Sequence, residues 1–205
     1  MPFTPTLTLP LVLSTFGLIF VAELPDKTAL AALLLATRYS VRHVVVGAWL
    51  AFLVQTAVAV AAGSLLQLLP AQPVRLAAGV GFLAFAVVAA RRDEEQELKV
   101  EEGAVKRVGW QDRLPWLTSF VVVFAAEWGD LTQLATAALV AQSREPLSVA
   151  VGATAALWAV TVVATVTGSH VGRFLAPSLL KWGSAVLFAA VGLVVLGTTL
   201  LGPAG

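Results

Sequence analysis

Long apolar stretches separated by short polar turns dominate the chain. Turns such as Leu69-Pro70 and Glu145-Pro146 carry helix-breaking residues. Six apolar stretches are long enough, or nearly so, to cross a bilayer as helices, at roughly 9–36, 43–69, 74–90, 117–141, 147–171 and 178–201. The pattern therefore predicts an all-α polytopic membrane protein with six transmembrane helices.

One strongly polar segment divides these stretches into two groups of three. It covers residues 91–116 and holds seven of the 12 acidic residues of the chain. The predicted organisation is therefore a three-helix unit over 1–90, a charged linker over 91–116 and a second three-helix unit over 117–205.

The two units are related by an internal repeat. Ala22–Ala36 aligns with Ala126–Val140 at an offset of 104, with seven identities in fifteen positions. With one more residue of offset the register continues, pairing Gly47 with Gly152 and Thr56 with Thr161. Because each unit has an odd number of spans, the second enters the membrane from the opposite face. The sequence predicts an inverted-topology repeat, as in secondary transporters.

Composition restricts the environment and the chemistry. Hydrophobic residues make up 59%, charged residues 12%, and the mean hydropathy is +0.89, too apolar for a domain surrounded by water. A net charge of +1 gives no field for binding nucleic acid, and the absence of cysteine excludes disulfides and thiolate sites. A metal site in the membrane interior must use oxygen ligands, which suit Mg, Ca or Mn. No prosthetic group is expected.

Basic residues indicate the orientation. Ten of the 13 lysines and arginines fall in the first, third and fifth loops, whereas only Arg75 and Arg144 fall on the opposite side. Cytoplasmic loops are enriched in basic residues, so the linker should be cytoplasmic and both termini outside the inner membrane. No basic residue precedes Lys27, so we expect the first stretch to be a retained span rather than a cleaved signal.

Four acidic residues fall near the middle of predicted spans. Each costs roughly 2.5–3.5 kcal/mol in hydrocarbon when charged, so something positive should offset them. An i, i+3 spacing places each pair on one helix face, and the inverted repeat brings the pairs together near the midplane. They are predicted to bind one or two divalent cations: Glu23, Asp26, Glu127 and Asp130.

Several neighbours are candidates for supporting roles. Lys27 is four residues from Glu23 and is a candidate counter-ion when the site is empty. Thr28, Thr132 and Gln133 offer neutral oxygens. Pro25 and Gly129 each lie between two acids and predict bends in the helices. Such a bend frees backbone carbonyls, for example that of Val21, as cation ligands, or it serves only helix packing.

The two motifs Glu23-Leu24-Pro25-Asp26-Lys27-Thr28 and Glu127-Trp128-Gly129-Asp130-Leu131-Thr132-Gln133 support a family assignment. They resemble the twin Glu-x-Gly-Asp-Lys/Arg-Thr/Ser signatures of the Golgi manganese/calcium:proton antiporter family. The resemblance covers essentially the whole chain and implies exchange of Mn²⁺ or Ca²⁺ for protons at the four carboxylates. Pro25 and Leu131 depart from the family pattern, but neither replaces a carboxylate.

The resulting hypothesis is cation export by alternating access around a midplane site, because protons and a divalent cation compete for the same carboxylates. Alternatives remain. One is an exporter of small organic cations or amino acids of the lysine-exporter type. Others are an intramembrane aspartyl hydrolase using Asp26 and Asp130, a non-transporting scaffold, and carboxylates that serve only in interhelical pairing.

Overall fold

A computed structural model describes residues 7–23, 35–36, 39–91, 114–171 and 177–201, with the backbone alone over 166–171 and 177–181. Over this part of the chain all regular structure is helical. Seven helices follow one another: α1 (Leu9–Glu23), α2 (Val41–Leu66), α3 (Ala71–Arg91), α4 (Pro115–Ala126), α5 (Leu131–Ser143), α6 (Pro146–Val171) and α7 (Pro177–Leu201).

Four of the described segments are long and apolar enough to cross a membrane: Val41–Leu66, Ala71–Arg91, Pro146–Thr165 and Trp182–Leu201. They correspond to the second, third, fifth and sixth apolar stretches of the sequence. Two further apolar helices, α1 and α4, are shorter. The prediction of a helical, multi-pass membrane protein is thus confirmed at this level.

The fourth apolar stretch differs from the expectation of one continuous span. It is divided into α4 and α5 by a turn at residues 127–130. Gly129 in this turn has a φ of 78°, a left-handed conformation that an L-residue with a side chain adopts at a cost. The helix therefore stops at Ala126 and restarts at Leu131.

Helix α2 lies at the centre of the packing, against α4, α5 and α6, while α1 packs on α6 and α3 packs along α7. Buried side chains such as Ile19, Phe52, Phe82 and Phe188 form the interior. Large apolar side chains such as Val186 remain exposed on the outer surface. An apolar exterior of this kind suits a protein surrounded by lipid.

Two glycines at corresponding repeat positions make corresponding contacts. A Cβ atom on Gly47 of α2 would lie 2.7 Å from Ser119 Cβ of α4, and one on Gly152 of α6 would lie 2.9 Å from Thr15 Cβ of α1. Gly47 and Gly152 are paired by the offset of 105, and Thr15 and Ser119 by the offset of 104. Helix α2 thus packs against α4 in the same way as α6 packs against α1.

Burial and ring stacking along α1 and α4 follow the same register. Phe16 stacks on Phe20 with centroids 5.4 Å apart, and Phe120 stacks on Phe124 at 5.5 Å, both at an interplanar angle of 12°. These pairs are also related by the offset of 104. The internal repeat read from sequence therefore has a counterpart in local packing.

Candidate cation site

Three carboxylates meet inside the helix bundle. Glu23 is the last described residue of α1, Glu127 follows α4, and Asp130 precedes α5. One carboxylate oxygen from each lies within 4.8 Å of the other two. Glu23 and Glu127 are 0% and 2% exposed, and Asp130 is partly buried. Sequence positions more than 100 residues apart thus form one cluster.

The spacing of these oxygens matches the requirements of one ion. Oxygen ligands of Ca²⁺ lie at about 2.3–2.6 Å, so two oxygens on one ion are at most about 5 Å apart. Three negative charges at this separation repel one another, by on the order of 3 kcal/mol per pair at an effective dielectric constant of about 20. The repulsion is relieved when a divalent cation or protons bind between them.

Asp130 is fixed by its position at the start of α5. Its Oδ2 atom accepts hydrogen bonds from the backbone N–H of Thr132 at 3.2 Å and from the Thr132 hydroxyl at 3.0 Å. This is an N-cap, in which a side-chain oxygen satisfies a donor of the first helical turn. The Thr132 hydroxyl therefore orients Asp130.

Two glutamines bind the backbone on either side of the turn. Gln133 Oε1 accepts a hydrogen bond from the Gly129 N–H at 2.8 Å, and Gln133 Nε2 donates to the Gln55 carbonyl oxygen at 3.4 Å. Gln55 Nε2 in turn donates to the Phe124 carbonyl oxygen at 3.1 Å. From the sequence, Gln55 was interpreted only as polar surface of the second span that could line a path, and its contact with the turn was not predicted.

A small recess adjoins the cluster at Glu127. Its apolar lining residues are Phe52, Ala59 and Leu157. The polar lining residues are Gln55, Thr56, Glu127, Thr132, Gln133 and Thr136. The recess gives Glu127 a neighbouring space lined by neutral oxygens.

The predicted site residues have different outcomes. Glu23, Glu127 and Asp130 come together, whereas Asp26, Lys27 and Thr28 lie outside the described residues. The prediction that Glu127 and Asp130 share one helix face was wrong, because the helix ends at Ala126 and restarts at Leu131, and the turn between them brings the two residues together. The Val21 carbonyl, expected to be freed by Pro25, accepts a hydrogen bond from Ser184 Oγ at 3.3 Å.

Four helices of membrane-spanning length and a cluster of carboxylates inside the helix bundle define a class of protein, the polytopic helical membrane proteins with an internal acidic cluster. Comparison with known families is consistent with this class. The sequence model of the GDT1 family, described as divalent cation/proton antiporter GDT1, matches residues 11–97 and 115–202. The chain belongs to the GDT1 family.

Individual relatives agree with this assignment. The chain is 32% identical over 202 residues to protein PAM71-homolog, chloroplastic, of Arabidopsis thaliana, covering 85% of this chain and 56% of that protein. It is 34% identical over 190 residues to a GDT1-like protein of Synechocystis, covering 85% of this chain and 92% of that protein. The chain thus spans little more than half the length of the plant relative but nearly all of the cyanobacterial one.

No solved structure matches the chain. The GDT1 family is one of antiporters rather than enzymes, so the family assignment agrees with the expectation that the chain is not an enzyme. The intramembrane hydrolase considered from the sequence is accordingly set aside.

Proposed function

We propose that this chain is a secondary transporter that exports a divalent metal cation, Mn²⁺ or Ca²⁺, in exchange for protons. The observation that carries the proposal is the convergence of Glu23, Glu127 and Asp130 within 4.8 Å in the interior of a helical membrane protein. The description of the GDT1 family as divalent cation/proton antiporters supports it. The sequence resemblance to the manganese/calcium:proton antiporters favours these two ions.

The carboxylates serve as the shared ligands of cation and proton. A divalent cation requires them deprotonated, so protons arriving from one side displace it and their departure restores the site. Asp26 is proposed as the fourth carboxylate, Lys27 as a counter-ion when the site is empty, and Thr28 as a neutral ligand. Thr132 and Gln133 act by holding Asp130 and the backbone of Gly129.

Alternating access is the proposed mechanism. Six spans would form two inverted three-helix units, residues 1–90 and 117–205, that rock against one another around the cluster. The paired contacts of Gly47 and Gly152 support this arrangement, because each joins one unit to the other in the same way. The linker over 91–116 is proposed to be cytoplasmic and both termini outside, in the inner membrane of a bacterial cell.

Uptake of Mn²⁺ or Ca²⁺ into inside-out vesicles tests the proposal. With an acidic interior, vesicles carrying the protein should accumulate the cation, and collapsing the pH gradient should stop accumulation. Glu23→Gln and Asp130→Asn should reduce uptake to that of vesicles without the protein. Glu145→Gln, in a turn away from the cluster, is the matched control and should transport normally.

A second measurement separates the metal from organic cations. If the metal is the substrate, Mn²⁺ raises the melting temperature of the purified protein and lysine does not. At a Mn²⁺ concentration of 100 times Kd, the free energy of unfolding should rise by about 2.7 kcal/mol. Stabilisation by lysine and not by Mn²⁺ would contradict the proposal. So would cation uptake that is unchanged by collapse of the pH gradient and by the substitutions.

A further inference from the structure

The turn between α4 and α5 leaves backbone groups that an unbroken helix would pair. In a continuous helix the Phe124 carbonyl would accept from the N–H of Trp128, and the Gly129 N–H would donate to the carbonyl of Ala125. Helix ends inside a membrane must find other partners for such groups, since hydrocarbon offers none. The turn carrying Glu127 therefore needs partners from elsewhere in the molecule.

Two side-chain amides supply these partners. Gln55 Nε2 takes the place of the Trp128 N–H at the Phe124 carbonyl, 3.1 Å away. Gln133 Oε1 takes the place of the Ala125 carbonyl at the Gly129 N–H, 2.8 Å away. Gln133 Nε2 also reaches the Gln55 carbonyl oxygen at 3.4 Å, so α2 is linked to both sides of the turn. We call Gln55 and Gln133 together the glutamine brace.

The repeat register indicates that the first motif has no equivalent of the brace in the sequence. The offset of 105 pairs Gln55 with Val160, and the offset of 104 pairs Gln133 with Ala29. Neither Val nor Ala has a side-chain hydrogen-bonding group. Both motifs contain a glutamate and an aspartate, but only the second motif has glutamines at the brace positions that contact it. The positions equivalent to the two brace glutamines therefore carry no amide side chain.

We infer that Gln55 is a positioning residue of the cation site, which holds the Glu127–Asp130 turn in its cation-binding geometry through the Phe124 carbonyl. Gln55 is 4% exposed and donates to backbone, so its action on the cation is through the turn. The inference rests on the proposed function, since it concerns the affinity of that site. Residues that orient metal ligands typically change affinity by about 10- to 100-fold when replaced.

The test compares Gln55→Met with a matched control, Gln67→Met. Gln67 follows the same helix, and its Nε2 donates to the Val140 carbonyl oxygen of α5 at 2.8 Å, away from the turn. Methionine preserves the approximate volume and removes the donor. Each variant should lower the melting temperature of the metal-free protein by a similar amount, because each loses one interhelical hydrogen bond.

The Kd for Mn²⁺ then distinguishes the two variants. It is measured by titrating the protein with Mn²⁺ and recording the thermal unfolding temperature at each concentration. Gln55→Met should raise the Kd for Mn²⁺ by about 10- to 100-fold, and Gln67→Met by less than about 2-fold. Equal changes in Kd for the two variants would overturn the inference. Absence of Mn²⁺ binding by the unmodified protein would instead count against the proposed function, so the two failures are distinguishable.

A double substitution distinguishes a positioning residue from an independent ligand. If Gln55 and Gln133 act as one brace, Gln55→Met combined with Gln133→Met raises Kd no further than the stronger single variant. Fold-changes that multiply would overturn the inference. If Gln55→Met fails to fold, Gln133→Met alone interrupts the brace, because Gln133 is the partly buried member of the pair. A higher Kd for Mn²⁺ in this variant supports the inference, and an unchanged Kd refutes it.

Discussion

Thr132 shows how much of the site depends on groups other than the carboxylates themselves. Its backbone N–H and its hydroxyl both donate to Oδ2 of Asp130, which fixes that oxygen at the start of α5. From sequence, Thr132 was a candidate neutral ligand; in the structure its hydroxyl is bonded to a carboxylate. Residue types predicted the acidic cluster, but hydrogen-bond partners were decided by the fold.

Removing the Thr132 hydroxyl should weaken cation binding modestly. A hydrogen bond of this kind contributes about 1 kcal/mol, so Thr132→Val should raise the Kd for Mn²⁺ by roughly 5-fold. Thr132→Ser keeps the hydroxyl and should bind as the unmodified protein does. Isothermal titration with Mn²⁺ measures both, and equal affinities for Val and Ser variants would rule out this role for the hydroxyl.

At the scale of the element, the break between α4 and α5 is the main difference from the sequence-based expectation. The sequence offered Gly129 between two acids and indicated a bend there. It did not show that the chain takes a φ of 78° at this glycine and restarts a helix with Asp130 as its N-cap. Hydropathy cannot detect such a break, because the residues on both sides are apolar enough to form one span.

Replacing Gly129 tests the break directly. A Cβ at Gly129 meets nothing within 4 Å, so Gly129→Ala adds backbone strain without a clash, about 1–2 kcal/mol for a left-handed residue. Gly81→Ala in α3 also meets nothing within 4 Å and should stabilise by up to about 1 kcal/mol, because alanine favours helix. Denaturation of the detergent-solubilised variants measures the difference.

Equal stabilisation by Gly129→Ala and Gly81→Ala would contradict the break. It would mean that residue 129 adopts a helical φ in the folded protein and that α4 and α5 are continuous. Asp130 would then no longer be the N-cap of α5.

At the scale of the whole molecule, two three-helix units were predicted from an offset of 104–105 residues. Corresponding contacts at Gly47 and Gly152, and corresponding ring pairs on α1 and α4, follow that offset. Distribution of basic residues adds an orientation that packing alone does not give. Together they lead to a specific membrane topology.

Single-cysteine labelling tests this topology, and the chain has no native cysteine to interfere. Ala71→Cys, at the first residue of α3, should react with a membrane-impermeant maleimide on intact cells. Ala104→Cys, in the linker, should react only after permeabilisation. The opposite labelling pattern would invert the orientation and with it the direction of transport.

The sequence alone determined the helical class, the membrane environment, the repeat and the acidic residues, because these follow from hydropathy, spacing and the cost of charge in hydrocarbon. Only the tertiary structure decided how closely Glu23 approaches Glu127 and Asp130, that a helix breaks between the last two, and that Gln55 donates to the Phe124 carbonyl beside the break. Those features depend on contacts between distant segments and on backbone dihedral angles. The hydropathy and spacing of residues along the sequence determine neither the contacts nor the dihedral angles.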